Sequence, residues 1–345
     1  MRSNTTDTQL PRLTIAYLMG ALLTFFYFVP FLAAIWLANQ ALRRPGLRAL
    51  NAVYLLMLSA LGAAAGVVIV IVALIGAADP SVAQLGAAAS GLLPAGAVML
   101  LCAALSAIAL LPSAGRWVSR WLPIEPGNPV HLAALSLTAL ALGFNFVQSI
   151  LVLPLLLESD LDAAAVSVSY LDVLIFPLLV FLLAGLLGVG WLSRRDQQAL
   201  FERLGLRPLT LRQLAITLLV TAVLLGMAIG TEALWRAIDP VGLEKIGGLS
   251  EALLGDLSGL TGALAIGLAA AIGEEVFFRG AYQPRMGLLL TTLLFTSFHT
   301  QYGFTIATVV VVVVGLVFGI LRRRFSLTAC VLAHFVYNFV LVLIA

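Results

Sequence analysis

The segment Gly273-Glu274-Glu275-Val276-Phe277-Phe278-Arg279-Gly280 sets two adjacent carboxylates and a guanidinium in a stretch otherwise built of Ala, Leu, Ile and Gly. Glu275 and Arg279 are four residues apart, so on a helix they share a face and can form an ion pair. Glu274 points about 100° away and is left without that partner. A carboxylate of that kind is suited to accept a proton, as a general base must. Two more polar pairs follow at helical spacing. Phe295-Thr-Ser-Phe-His299 places a histidine after an aromatic, and His334-Phe-Val-Tyr-Asn338 places a histidine and an amide on one face. These are two of the three histidines in the chain.

The elements that must position them are membrane helices. The 345 residues are 62% hydrophobic and 10% charged, against about 45–50% and about 25% in soluble domains. A soluble fold could not hide that much apolar surface, which excludes a secreted disulfide scaffold, a disordered chain and an ordinary cytosolic enzyme. The expected fold is all-α, a polytopic bundle of about ten transmembrane helices. The apolar stretches fall near 13–37, 50–77, 91–112, 131–156, 166–192, 211–235, 257–282, 287–300, 303–321 and 325–344. Most basic residues, from Arg43 to Arg324, lie in the loops after the odd-numbered spans, while Arg2, Arg12, Arg236 and Lys245 lie on the other side. The positive-inside rule then puts the basic side in the cytoplasm and both termini outside. The net charge of +3 is thus explained by topology and implies no nucleic-acid partner.

Depth decides whether the polar groups meet. Pro284, Arg285 and Gly287 mark a turn between the seventh and eighth spans. At 1.5 Å per residue, Glu274 and His299 both lie roughly 15–18 Å from that turn, and His334 lies ~15 Å beyond Arg324 on the same side. An ionised side chain at mid-helix costs at least ~2.5 kcal/mol in lipid, so a set gathered at one level asks for a functional reason. The eighth span is short and ends near Thr300-Gln301-Tyr302-Gly303. Irregular backbone at membrane depth is tolerated where it lines a watery cavity or is buried in protein.

Other polar residues carry less. Asn145 and Gln148 share a face of the fourth span and read as helix–helix hydrogen bonding or cavity lining. Asp172 sits near an outer helix end, Glu232 should reach water, and His131 reads as an interfacial histidine. Gly62/Gly66 and Gly315/Gly319 are pairs suited to close helix packing. Cys102 and Cys330 lie in apolar runs and imply neither a disulfide nor a cysteine metal site. The polar stretch 193–212 divides an N-terminal five-span region, 1–199, from a C-terminal region, 200–345.

The ordered set EExxxR (Glu274, Glu275, Arg279), FxxxH (Phe295, His299) and HxxxN (His334, Asn338), with Phe278-Arg279-Gly280 and the text before His334, resembles the CAAX protease and bacteriocin-processing (CPBP, Abi) family. Type II CAAX prenyl endopeptidases belong to it. The resemblance covers about 200–345. It implies hydrolysis of a peptide bond within the membrane, with a peptide or protein substrate presented by a C-terminal segment and membrane lipid as surroundings. Eukaryotic members remove the last three residues of prenylated proteins. Placed on this sequence, Glu274 would activate water with help from His299. Glu275 and Arg279 would hold the site's shape, and His334 and Asn338 would donate to the oxyanion. Family naming often says metalloprotease, and Glu274, His299 and His334 could supply zinc ligands, although a metal-free mechanism needs the same residues. A bacterial plasma membrane, with the site opening to the cytoplasm, is the expected location. Two other classes stay open: a transporter, since intramembrane charges also mark ion paths, and a non-catalytic protein of the bacteriocin-immunity type.

Overall fold

The computed structural model describes residues 28–76, 87–158, 172, 174–254, 257 and 259–344. The first half of the first expected span lies outside these residues. The described part is a polytopic helical bundle without a β-strand. Among the described residues, seven helical runs are long and apolar enough to cross a membrane, and Phe176–Gly188 is a shorter apolar helix.

The N-terminal part consists of α1 (28–43), α2 (Arg48–Gly76), α3 (Ala87–Ile108), the short α4 (Pro112–Val118) and α5 (Pro129–Val147). Asn128 caps α5 by accepting from the Val130 amide, with Pro129 in the first turn, where a missing N–H costs nothing. A π turn at Gln148–Val152 carries α5 into Leu153–Glu158. Small residues and hydroxyls hold α2, α3 and α5 together. Ser59, Ser106 and Ser136 form a buried chain with both Oγ–Oγ distances 2.7 Å. Such contacts replace the hydrophobic drive that lipid removes. A π stretch, Leu174–Val180, opens α6, which continues as Phe181–Gly188.

The polar stretch 193–212 folds onto the bundle. α7 (Gln197–Leu204) is capped by the Asp196 side chain and ended by Gly205 at φ 74. Its Leu200 and Leu204 pack against Val276 and Leu327. α8 (Leu211–Ile238) starts in a capping box of Thr210 and Gln213. α9 (Pro240–Leu254), which hydropathy leaves as a loop, packs Ile246 and Leu249 against Trp235 and Tyr302. Its Glu244, Lys245 and Gly residues dilute the apolar pattern below a span signal.

The C-terminal helices carry the motifs. α10 (Gly259–Glu275) runs into a π stretch, Val276–Tyr282, and then α11 (Gln283–Ser297). The run looks continuous along the backbone, but Gly287 sits at φ 73, ψ 174, a region open essentially to glycine alone. The chain reverses there. Phe278 and Phe295 would stand ~25 Å apart on a straight helix, yet their ring centroids are 5.3 Å apart. The expected seventh and eighth spans therefore form a hairpin. A 3-10 turn, Thr300–Tyr302, leads to α12 (Ile306–Arg324) and α13 (Leu327–Ile344). Arg194, Arg195, Arg203, Arg285 and Arg322 lie near one another despite their mutual repulsion, and Arg203 and Arg322 are held by the Gly280 and Leu204 carbonyls.

Candidate active site

The site is assembled where α10 and its π stretch meet α11, α12 and α13. A π stretch widens the helix by one residue per turn, and such segments recur at functional sites. Here it begins one residue after Glu275.

Glu275 and Arg279 are fully buried and paired, Oε1 to Nη1 at 3.0 Å. The same Oε1 accepts from Nδ1 of His334 at 2.8 Å. Arg279 also reaches the Gly315 carbonyl at 3.4 Å, and its guanidinium carbon lies 4.2 Å from the centroid of Phe295, a cation–π geometry. Behind it, Gln283 donates to the Gly319 carbonyl at 2.8 Å. The Gly315/Gly319 pair therefore has two uses. A Cβ on Gly315 would come within 3.1 Å of Thr292 and one on Gly319 within 2.2 Å of Leu288, so α11 and α12 touch closely. That closeness also brings two glycine carbonyls within reach of the site's donors.

Glu274 differs from its neighbour. It makes no hydrogen bond to another described residue, and its Oε2 is buried without a partner. Glu275 Oε2 and Arg279 Nε also lack partners, but each of those side chains is engaged through its other atoms. The charges that act on Glu274 are those of His334, Glu275 and Arg279.

His299 lies just past the end of α11, half-buried. Its Nδ1 is 3.0 Å from the Phe295 carbonyl, its ring 4.8 Å from the Phe295 ring and stacked on Tyr302. A carbonyl only accepts, so Nδ1 carries a proton, and in the neutral form of the ring Nε2 presents a lone pair. His334 lies on the other side of Phe295, ring centroids 6.2 Å apart, and against Phe318 at 5.3 Å. Asn338, one turn beyond His334, is half-buried, and its amide has no hydrogen-bond partner among the described residues.

The structure thus brings Glu275, Arg279 and His334 into direct contact, with His299 and Glu274 around them and Asn338 one turn away. The Glu275–Arg279 pair follows from their spacing. The Glu275–His334 bond joins helices about sixty residues apart, and no spacing announces it. The same is true of Phe295 as the plate under Arg279. Among the described residues no three His, Cys, Asp or Glu side chains are grouped so as to hold one metal ion.

The remaining polar residues take structural places. Asn145 donates to Ser297 Oγ at 3.0 Å and Thr300 to Gln148 at 3.5 Å, so both hold α5 to the end of α11. His131 is buried and accepts from the Glu125 amide. Glu232 is exposed and paired with Arg236 at 2.7 Å. Cys102 and Cys330 are buried and free.

Residues 256–340 match the family model of the type II CAAX prenyl endopeptidase Rce1-like proteins. That stretch holds every motif residue from Glu274 to Asn338, so the resemblance to the CAAX protease family holds over this region. No curated protein and no solved structure matches the chain.

Proposed function

We propose that the protein is an intramembrane endopeptidase of the CAAX type, in which Glu274 activates the attacking water. One observation carries this reading. Of two adjacent carboxylates, Glu275 binds Arg279 and His334 through Oε1, while Glu274, with a buried Oε2, is bonded to no other described residue. A structural network would satisfy both; a proton acceptor needs one left open.

The reacting form has Glu274 ionised and His334 carrying a proton on each ring nitrogen, its Nδ1–H donating to Glu275 and its Nε2–H free. Water held by Glu274 and by Nε2 of His299 attacks the scissile carbonyl carbon. One water proton moves to Glu274 as the C–O bond forms and the carbonyl electrons move to oxygen. That oxyanion accepts from Nε2–H of His334 and from the Asn338 amide. The C–N bond then breaks, and the proton on Glu274 passes to the leaving amine.

The reading extends to the domain division at 199/200 and to a bacterial plasma membrane with the site opening on the basic, cytoplasmic side. Comparing peptide termini in cells with wild-type protein and with Glu274→Gln identifies the substrate. Cleavage of that substrate by purified Glu274→Gln is expected to fall by about 10²–10⁴-fold, with unchanged thermal stability. Full activity of a well-folded Glu274→Gln protein would remove the general-base role.

A further inference from the structure

A second feature lies apart from the carboxylates. Between α1, α5, α6 and the α10–α11 hairpin is a cavity of about 440 Å³, within the ~300–1,000 Å³ range of ligand sites. Neither Glu274, His299 nor His334 lines it. At the basic end its wall holds Arg194, Arg195, Arg203 and Arg285, with Glu125 and His131 beside them. Away from that end the wall is apolar, with Phe31, Leu137, Ala141 and Phe144 among its residues.

The cationic end is short of negative charge. Arg194 donates to Asn39 at 3.0 Å, Arg195 to the Val189 carbonyl, and Arg203 to the carbonyls of Gly280 and Ala281 at 3.0 and 3.3 Å. All of these acceptors are neutral. Arg285 has Glu125 at 3.8 Å, a largely exposed carboxylate. Burial and the neighbouring guanidiniums push Arg194 and Arg203 down to about 10. Four cations held this close would be relieved by a bound anion.

The far end offers a peptide backbone few partners. Thr138 is committed to the Ala134 carbonyl and to Tyr282, Asn145 donates to Ser297, and Gln148 accepts from Thr300. The remaining amide atoms of Asn145 and Gln148 could serve only part of a peptide's N–H and C=O groups, whereas an acyl chain needs no partner. From Val130 to Phe144 the wall along α5 is about 20 Å long, enough for the ~15 Å of one leaflet's hydrocarbon.

We infer that this cavity is a binding site for an anionic phospholipid, its phosphate among Arg194, Arg195, Arg203 and Arg285 and its acyl chain along α5. The site is separate from the peptidase centre. Phe181, Phe277 and Phe298 are part of its wall, with ring centroids 5.1–5.5 Å apart where they meet at Phe181, and Phe278 packs at 4.8 Å from Phe277.

The test is native mass spectrometry of the full-length protein in neutral detergent, titrated with phosphatidylglycerol and with phosphatidylcholine. One phosphatidylglycerol should be retained at least tenfold more tightly than phosphatidylcholine. Arg195→Gln with Arg285→Gln should weaken it by roughly tenfold or more, and the paired lysine variants should restore most of the binding. Ala141→Phe, which leaves every arginine in place, should weaken it too. Equal retention of the two lipids, or retention unaffected by both the arginine and the Ala141 variants, overturns the inference. Displacement by excess inorganic phosphate with no effect of Ala141→Phe would mark a phosphate site only, and also overturns it. One-for-one displacement by a lipid-modified C-terminal peptide would make the cavity a substrate site and overturns it as well. Because the readout is binding, its failure leaves the peptidase reading untouched.

Discussion

At the residue scale, the two glutamates should respond oppositely to the same isosteric change. Glu275→Gln removes the charge that Arg279 and His334 both face, leaving a buried guanidinium without its counter-ion. Breaking such a pair costs about 3–5 kcal/mol, so this variant should melt at a distinctly lower temperature. Glu274→Gln removes a charge that no partner neutralises and should not lower the melting temperature. Thermal unfolding followed by tryptophan fluorescence separates the two, and equal destabilisation would refute the asymmetry. Asn338 gives a third test. As an oxyanion donor, its change to Ala should lower kcat by about 10²–10³-fold with little change in KM, measured on the substrate found for the wild-type protein. The Glu275–Arg279 pairing and the isolation of Glu274 were legible because both are local and follow from helical spacing. The His334 bond to Glu275 was not, since it depends on how α13 packs against α10. It also revises how His334 can work. With Nδ1 committed to Glu275, this ring can donate to an oxyanion only as an imidazolium.

At the element scale, hydropathy located the long apolar helices and missed shorter, more polar ones. Apolar length found the spans from Arg48–Gly76 to Leu327–Ile344, and the short eighth span does end at irregular backbone beside His299. α7 and α9 escaped because a helix lying against the bundle needs only one apolar stripe. The π stretch after Glu275 has no sequence signature; tertiary packing imposes it. The turn in the hairpin was marked by Gly287, whose conformation is the sharpest test here. Gly287→Ala should cost about 1–3 kcal/mol, because only glycine occupies that region without strain. The loss should appear in the melting temperature and as weaker cleavage, since the reversal holds Phe295 against Arg279. An unchanged melting temperature would mean that the turn has other ways to form.

At the scale of the whole molecule, the family match covers residues 256–340, yet contacts that position the site reach well outside it. Tyr282 meets Thr138 at 2.6 Å and Ser297 meets Asn145 at 3.0 Å. Phe181 of α6 packs on Phe277, Phe278 and Phe298. A Cβ on Gly273 would stand 1.8 Å from the Pro177 carbonyl oxygen, so the backbone just before Glu274 rests directly on the N-terminal half. The depth and facing of the carboxylates thus depend on α5 and α6 as well as on the motif helices. A fragment of 200–345 made alone should therefore be unstable and inactive, and co-expression with 1–199 should restore cleavage. Co-purification through a tag on either fragment, with activity of the complex, is the expected result. A monodisperse, active 200–345 fragment would show that these contacts are dispensable. Phe181→Ala in the intact chain addresses the same coupling without cutting it. Loss of this ring, packed against four others and 4% exposed, should cost about 3–5 kcal/mol. It should also reduce cleavage, although Phe181 is none of the residues proposed to act in catalysis.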